Sequence, residues 1–149
     1  MSIDRFGILI CAFNEEAHID RIVRLSLLQS PEEIIVVDDG STDNTAALAQ
    51  QAGATVLRNR RNLGKGSALK RGFKAFLNKN VDAVIVLDAD AQHNPNEIKY
   101  FLDTYNRTGI PLLIGNRMAD PKAMPLIRKL TNHFMAYVFN RLTKLDVSD

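Results

Sequence analysis

Two aspartates one residue apart, Asp88-Ala89-Asp90, close an apolar run, and Gln92 and His93 follow immediately. In an extended or turning segment, alternate side chains share a side, so both carboxylates can face one way with the Gln92 amide available to add an oxygen. Hard oxygen donors of this kind suit Mg2+ or Mn2+, which commonly take one or two carboxylates and complete their shell with water and phosphate oxygens. An ion held there would neutralise charge building on a departing nucleotide. His93 is a further candidate ligand, although a lone histidine beside such a site more often supports it or lies on the surface. A second acidic pair, Asp38-Asp39-Gly40, ends another apolar run. Helix capping accounts for that pair equally well taken alone, but two such pairs on one sheet edge are harder to assign to capping.

The segment Asn62-Leu63-Gly64-Lys65-Gly66-Ser67 offers two glycines whose backbone could approach a phosphate or ribose, with Lys65 as the cation to meet it. It is not a P-loop, since Asn59 stands at the first glycine position and Gly66 follows the lysine. Nor is it a dinucleotide fingerprint, since Leu69 takes the third glycine position. Arg58, Arg60, Arg61, Lys65, Lys70, Arg71 and Lys74 form a basic stretch around that loop, and the lysines beyond it, Lys70 and Lys74, read as a solvated helix face. Arg117 and Arg128 are candidates to meet an anionic acceptor.

The elements that must position these residues follow from the alternation of short apolar runs with amphipathic stretches, the pattern of a parallel sheet with crossover helices. Five strands are expected, at Phe6 to Cys11, Ile34 to Val37, Thr55 to Leu57, Ala83 to Leu87 and Leu112 to Ile114. Each is aliphatic or β-branched and nearly free of charge, as strands covered on both faces should be. The intervening spacing predicts helices over Glu15 to Leu28 with Asn14 as N-cap, from Ser41-Thr42-Asp43-Asn44 through Gln51, and over Ser67 to Leu77. Asn94-Pro95-Asn96-Glu97 opens a fourth, through Tyr105, and Leu126 to Leu142 forms the last. The acidic clusters then fall at the carboxyl ends of strands, where open α/β sheets bind ligands.

The 149 residues are enough for one domain with its own core. A net charge of +2 calls for no nucleic-acid partner. With Cys11 the only cysteine, no intrachain disulfide can form, and the expected compartment is the cytosol. No apolar run reaches transmembrane length and the first residues are not signal-like, which leaves peripheral attachment at the cytoplasmic membrane face open.

Taken together and in this order, Ala12-Phe13-Asn14-Glu15-Glu16, Val36-Val37-Asp38-Asp39-Gly40-Ser41-Thr42-Asp43, Asn62-x-Gly64-Lys65-Gly66 and Asp88-Ala89-Asp90 resemble the donor-site motifs of family 2 glycosyltransferases. The resemblance implies a GT-A fold, a Rossmann-like open and mainly parallel sheet with helices on both faces. It implies that the first loop, Ala12-Phe13-Asn14-Glu15, and the acids Asp38 and Asp39 hold the nucleoside, while Asp88 and Asp90 carry the metal and diphosphate. The longer run Asp88 to Pro95 is most similar to the branch containing dolichol-phosphate mannosyltransferase and bacterial polyprenyl-phosphate glycosyltransferases. By that likeness Gln92 joins the metal shell, and Arg117 and Arg128 receive a lipid phosphate, acting with Asp90 as the catalytic set. The first loop departs from the commoner Pro-Tyr-Asn-Glu wording at Ala12 and Phe13. The family also continues past a segment like Leu145-Asp146-Val147-Ser148-Asp149 into acceptor-side structure, so residues 1–149 are expected to be the nucleotide-sugar-binding part of a longer enzyme.

The expected reaction is inverting transfer of a sugar from a UDP- or GDP-sugar to a glycan or lipid-phosphate acceptor, with Mg2+ or Mn2+ stabilising the leaving diphosphate. Three rivals belong to other classes. A receiver-type phospho-acceptor module shares strand-end acids but needs a lysine at the fifth strand. A nucleotidyltransferase would carry a glycine-rich loop where Ala12-Phe13-Asn14-Glu15 stands. A nucleotide-sugar-binding domain without activity is the third.

Overall fold

The computed structural model describes residues 3–91, 93–110 and 112–115. Gln92, Arg117, Arg128 and the helix expected over Leu126 to Leu142 lie outside these residues. The chain divides into two compact units at Pro111 and Leu112, and every helix and strand below belongs to the first.

That unit alternates strand and helix: β1 Phe6–Ala12, α1 Ile19–Leu27, β2 Glu33–Asp38, α2 Thr45–Gln51, β3 Thr55–Arg58, α3 Lys65–Phe76, β4 Ala83–Asp88, and α4 Ile98–Thr108 behind a single 3-10 turn at Pro95–Glu97. The four strands lie in the order β3-β2-β1-β4, all parallel. The chain moves outward from β1 through β2 to β3, then returns to the other side of β1 as β4. This reversal opens a crevice at the carboxyl ends of β1 and β4, the place where doubly wound sheets take ligands.

Side-chain alternation along the strands builds two cores. Ile8, Ile10, Ile34, Val36 and Leu87 point to one face and meet Ile19, Ile22 and Val23 of α1, Ala49 of α2 and Ile98 of α4. Leu9, Ile35 and Val37 point to the other and meet Ala68 and Phe76 of α3. Helices therefore cover both faces, as right-handed crossovers demand when the winding direction reverses.

Three expectations need correction. Residues 112–115 form no strand, so among the described residues the sheet has four strands instead of five. A three-residue run bounded by Pro111, which has no N–H to donate, and Gly115 offers too little ladder bonding to hold a strand. Helix α1 begins at Ile19 with His18 at its N-cap, preceded by a turn closed by Glu15 O. Asn14 is not the cap; it sits at φ 56° in the left-handed region and directs its side chain elsewhere. Helix α3 starts two residues earlier than expected, at Lys65, with Gly64 at φ 88° supplying the turn into it. The Asn94-Pro95 start holds, with the Asn94 side chain accepting from the Asn96 N–H, although the first turn is 3-10.

Candidate donor site

Register puts the acids side by side. Ala12 of β1 is level with Asp38 of β2, and Cys11 is level with Asp88 of β4, so the three strand ends share one edge. A cavity of about 240 Å³ opens there. Of the residues singled out from the sequence, Ala12, Phe13, Glu15, Asp39, Lys65, Asp88 and Asp90 line it, joined by Cys11, Asn62 and Gly64. Asn14, Asp38 and Gly66 are not among its lining residues. The Phe13 ring remains 43% exposed, a flat apolar face on a wall otherwise rich in charge.

Asp38 and Asp39 diverge in role because consecutive strand residues point to opposite faces. Asp38 is fully buried; its Oδ1 accepts from the Ser41 N–H at 2.9 Å, a bond within the loop after β2 and not a helix cap, since α2 starts only at Thr45. Its Oδ2 accepts no aligned hydrogen bond, but Arg58 Nε, at the end of the neighbouring β3, lies 3.1 Å away. Charge compensation, not hydrogen-bond geometry, is what makes this buried carboxylate tolerable. Arg58 also donates to Ser41 O at 2.7 Å, closing the loop that follows β2.

Asp39 is 4% exposed and its carboxylate is occupied by the chain itself. Oδ1 accepts from Asn59 Nδ2 at 2.6 Å and from the Leu63 N–H at 3.0 Å, and Oδ2 accepts from the Gly64 N–H at 2.7 Å. These bonds fasten residues 62–64 to the end of β2 and so fix the root of Lys65. Gly40 turns the chain away at φ 80°, and a Cβ there would stand 2.4 Å from the Arg61 carbonyl carbon, so only glycine fits between the two loops.

The first loop is tied to the second by reciprocal bonds. The Asn14 N–H donates to Ser41 Oγ at 2.9 Å, and Asn14 Oδ1 accepts from the Thr42 N–H at 2.9 Å. The Glu15 N–H donates to Thr45 Oγ1, and the Glu16 N–H to Asp43 Oδ2. Asp43 Oδ1 in turn accepts from both the N–H and Oγ1 of Thr45, the first residue of α2; the helix starts after residues 41–44, which were expected to open it, and its N-cap Asn44 makes no side-chain cap bond. Burial works against the charge on Asp43, but the bonds from Thr45 and Glu16 outweigh it and hold its carboxyl below the usual range. A depressed carboxylate pKa adds stability above the unfolded value and loses it as pH falls through the folded one. Asp43→Ala should therefore cost up to about 1 kcal/mol at neutral pH, the partial exposure of the carboxylate holding the figure down. Chemical denaturation of both chains from pH 7 down to pH 2 should show the gap closing at the acid end, and a gap independent of pH would contradict a role for the ionised carboxylate.

On the β4 side, Lys65 Nζ lies 2.6 Å from Asp88 Oδ1, reaching from the start of α3 across the mouth of the cavity. His93 is a loop support: its Nδ1 accepts from the Asp88 N–H at 2.8 Å, and its Nε2 stands 3.9 Å from Asp88 Oδ2. Ala91 takes φ 61°, a conformation an alanine rarely adopts and one that turns the chain sharply after Asp90. Burial raises the Glu15 carboxyl above its ordinary pKa; His18 opposes this, and Asp90 and Asp43 add to it. Burial also pushes the Cys11 thiol up to about 11, with Lys65 pulling down and Asp88 and Asp39 pushing further up. At neutral pH it is a protonated wall residue and no nucleophile.

Among the described residues, no three His, Cys, Asp or Glu side chains converge to cage a metal unaided. Two carboxylates on one cavity wall fit a Mg2+ or Mn2+ ion that draws its remaining ligands from phosphate oxygens and water, the usual habit of these cations. Reading the sequence alone missed Asn59 and Arg71. Arg71 donates to Asn59 Oδ1 and, at 2.8 Å, to Arg58 O, which presents the Asn59 amide to Asp39. Lys70 and Lys74 lie on the exposed face anticipated for them. The signal for Arg58 was its place at the end of β3 opposite an acid at the end of β2, which becomes visible only once the register is known.

Comparison with known proteins bears on the same motifs. The family model described as Glycosyl transferase family 2 matches residues 7–147. An uncharacterised protein of Methanocaldococcus jannaschii is 33% identical over 138 residues, covering 91% of this chain and 57% of that protein. The undecaprenyl-phosphate 4-deoxy-4-formamido-L-arabinose transferase of Pectobacterium carotovorum is 32% identical, covering 99% of this chain and 46% of the relative. The crystal structure of glucosyl-3-phosphoglycerate synthase from Mycobacterium tuberculosis, in complex with Mn2+, UDP-glucose and phosphoglyceric acid, aligns with a TM-score of 0.59 at 30% identity over 71% of this chain and 40% of that one. The chain spans about half the length of the curated relatives it matches. With a GT-A-like parallel sheet, its motifs gathered on one edge and a family model spanning nearly all of its length, the chain belongs to glycosyltransferase family 2.

Proposed function

We propose that residues 1–149 form the nucleotide-sugar-binding part of an inverting, metal-dependent glycosyltransferase whose acceptor is a polyprenyl phosphate. The observation that carries this reading is the convergence of Phe13, Lys65, Asp88 and Asp90 on one cavity at the sheet's switch point. The Phe13 face suits a nucleobase, Lys65 suits a diphosphate, and Asp88 and Asp90, with Gln92 joining them by resemblance to the family, would hold a Mg2+ or Mn2+ ion. Bound there, the ion would offset charge on the leaving diphosphate. Arg117 and Arg128 are assigned to the acceptor phosphate, in keeping with the undecaprenyl-phosphate transferase relative. A phosphate oxygen is already ionised at neutral pH, so little general-base help is required of the protein. Mn2+ and UDP-glucose in the glucosyl-3-phosphoglycerate synthase complex support a UDP-sugar donor in preference to a GDP-sugar. No helix among the described residues is long and apolar enough to cross a membrane. A lipid acceptor would bring the protein to the cytoplasmic membrane face by peripheral contact.

Calorimetric titration of UDP and of GDP, each in Mn2+ and in EDTA, tests the reading. UDP should bind about tenfold or more tightly with Mn2+, because without the metal only Lys65 offsets the carboxylates of Asp88 and Asp90 that share the cavity with the diphosphate. Equal affinity in the two buffers would point to a metal-independent site.

A further inference from the structure

Lys65 and Asp88 form an ion pair, and the way the chain holds them gives the pair a consequence for loading the site. The root of Lys65 is fixed from the β2 side: Gly64, immediately before it, turns at φ 88° and is held through its N–H by Asp39 Oδ2 at 2.7 Å. The head of Lys65 reaches the end of β4, 2.6 Å from Asp88 Oδ1. The strap so formed crosses the end of β1, the central position of the crevice. Asp88 is largely covered, with 18% of its side chain exposed, and its loop is held by His93. The Lys65 side chain is 60% exposed, so its flexible stem can swing away at small cost while the carboxylate stays where it is.

We propose that Lys65 is the resident counterion of Asp88 and that it is exchanged for the divalent cation only when a nucleoside diphosphate arrives to accept the lysine. A cation approaching Asp88 alone meets an ammonium already bound to one of its oxygens. The metal must displace that charge and then sit beside it. A diphosphate changes the balance, since its oxygens take the displaced ammonium and complete the metal shell together. Metal and nucleotide therefore load with positive coupling, each raising the affinity of the other by the same factor. A metal-first order, with the cation waiting in an open site, is disfavoured by the geometry. This rests on the donor-site reading above and adds to it a specific role for Lys65 as a positioning residue that sets the loading order.

Electron paramagnetic resonance of free Mn2+ measures this directly, on wild type, Lys65→Met and Lys65→Arg, each with and without UDP and each checked by thermal melting. Lys65→Met keeps the apolar stem and removes the charge. Without UDP it should bind Mn2+ roughly five- to tenfold more tightly than wild type. The gain in Mn2+ affinity that UDP confers should shrink by a similar factor, and Lys65→Arg should stay close to wild type in both. Wild type that binds Mn2+ with UDP, alongside a Lys65→Met variant that binds Mn2+ alone no more tightly, would overturn the exchange and leave the donor-site reading intact. Wild type that binds no Mn2+ even with UDP would overturn both.

Discussion

In Mn2+ buffer, Asp90→Asn should bind UDP about 100-fold more weakly than wild type, since even partners one shell out from a metal typically cost 10- to 100-fold when removed. The substitution keeps the shape of the side chain while removing a negative charge and a strong oxygen donor. In EDTA the sign should reverse, with the variant binding UDP as well as wild type or slightly better, because a carboxylate facing an uncompensated diphosphate repels it. Two features of the site favour this outcome. Asp90 lines the same cavity as Asp88, and Asp90 is among the charges that raise the Glu15 carboxyl, so it adds negative charge to the wall a diphosphate would meet. A residue serving only the turn after β4 would lower stability and affect both buffers alike. Isothermal titration of wild type and variant in the two buffers separates the cases, and parallel losses would sink the metal assignment.

How far the sequence could be read depended on whether the relevant interaction was local. The four described strands were legible because strands covered on both faces appear as unbroken apolar runs, and the Asn94-Pro95 boundary because cap and proline lie within one turn of each other. Asn14 was misread as a cap because its side chain is claimed by Thr42, twenty-eight residues away, a tertiary competitor invisible to local pattern. Leu112 to Ile114 looked like a strand because composition alone does not reveal whether a partner edge is available. The strand-end acids were located correctly, but which way each carboxylate points depends on the pleat and on loops from β3 and α3. For that reason Asp38 and Asp39 were treated as a pair, whereas the fold sends one to Arg58 and Ser41 and the other to Asn59, Leu63 and Gly64. The acceptor-side assignments of Arg117 and Arg128 lie outside the described residues and rest on resemblance and on the relatives.

That division of labour leads to the other large effect. Asp39→Ala should lower stability by roughly 5 kcal/mol and weaken UDP binding with it, because the substitution strands the Asn59 amide and the N–H groups of Leu63 and Gly64, each costing about 1 to 3 kcal/mol where water cannot replace the acceptor. The lower end applies at Leu63, whose neighbourhood is exposed, and the higher end at the buried Asn59. Without its anchor, the 62–64 loop no longer fixes the start of α3, and Lys65 loses the placement that brings its head to Asp88. Asp39→Asn is the sharper probe. One oxygen survives to accept from Asn59 or Leu63, but an amide NH2 in place of the other would face the Gly64 N–H donor to donor, so the asparagine should recover only part of the loss. Urea unfolding at 25 °C gives the stability change, and calorimetry with UDP and Mn2+ well below the melting transition gives the affinity of the folded fraction. Both should fall in the order wild type, Asn, Ala. A variant that loses UDP affinity while unfolding at the wild-type urea concentration would show that Asp39 reads the nucleoside directly and that the loop does not depend on it. A variant that unfolds early yet binds UDP normally once folded would show that the loop, and Lys65 with it, is not part of the donor site.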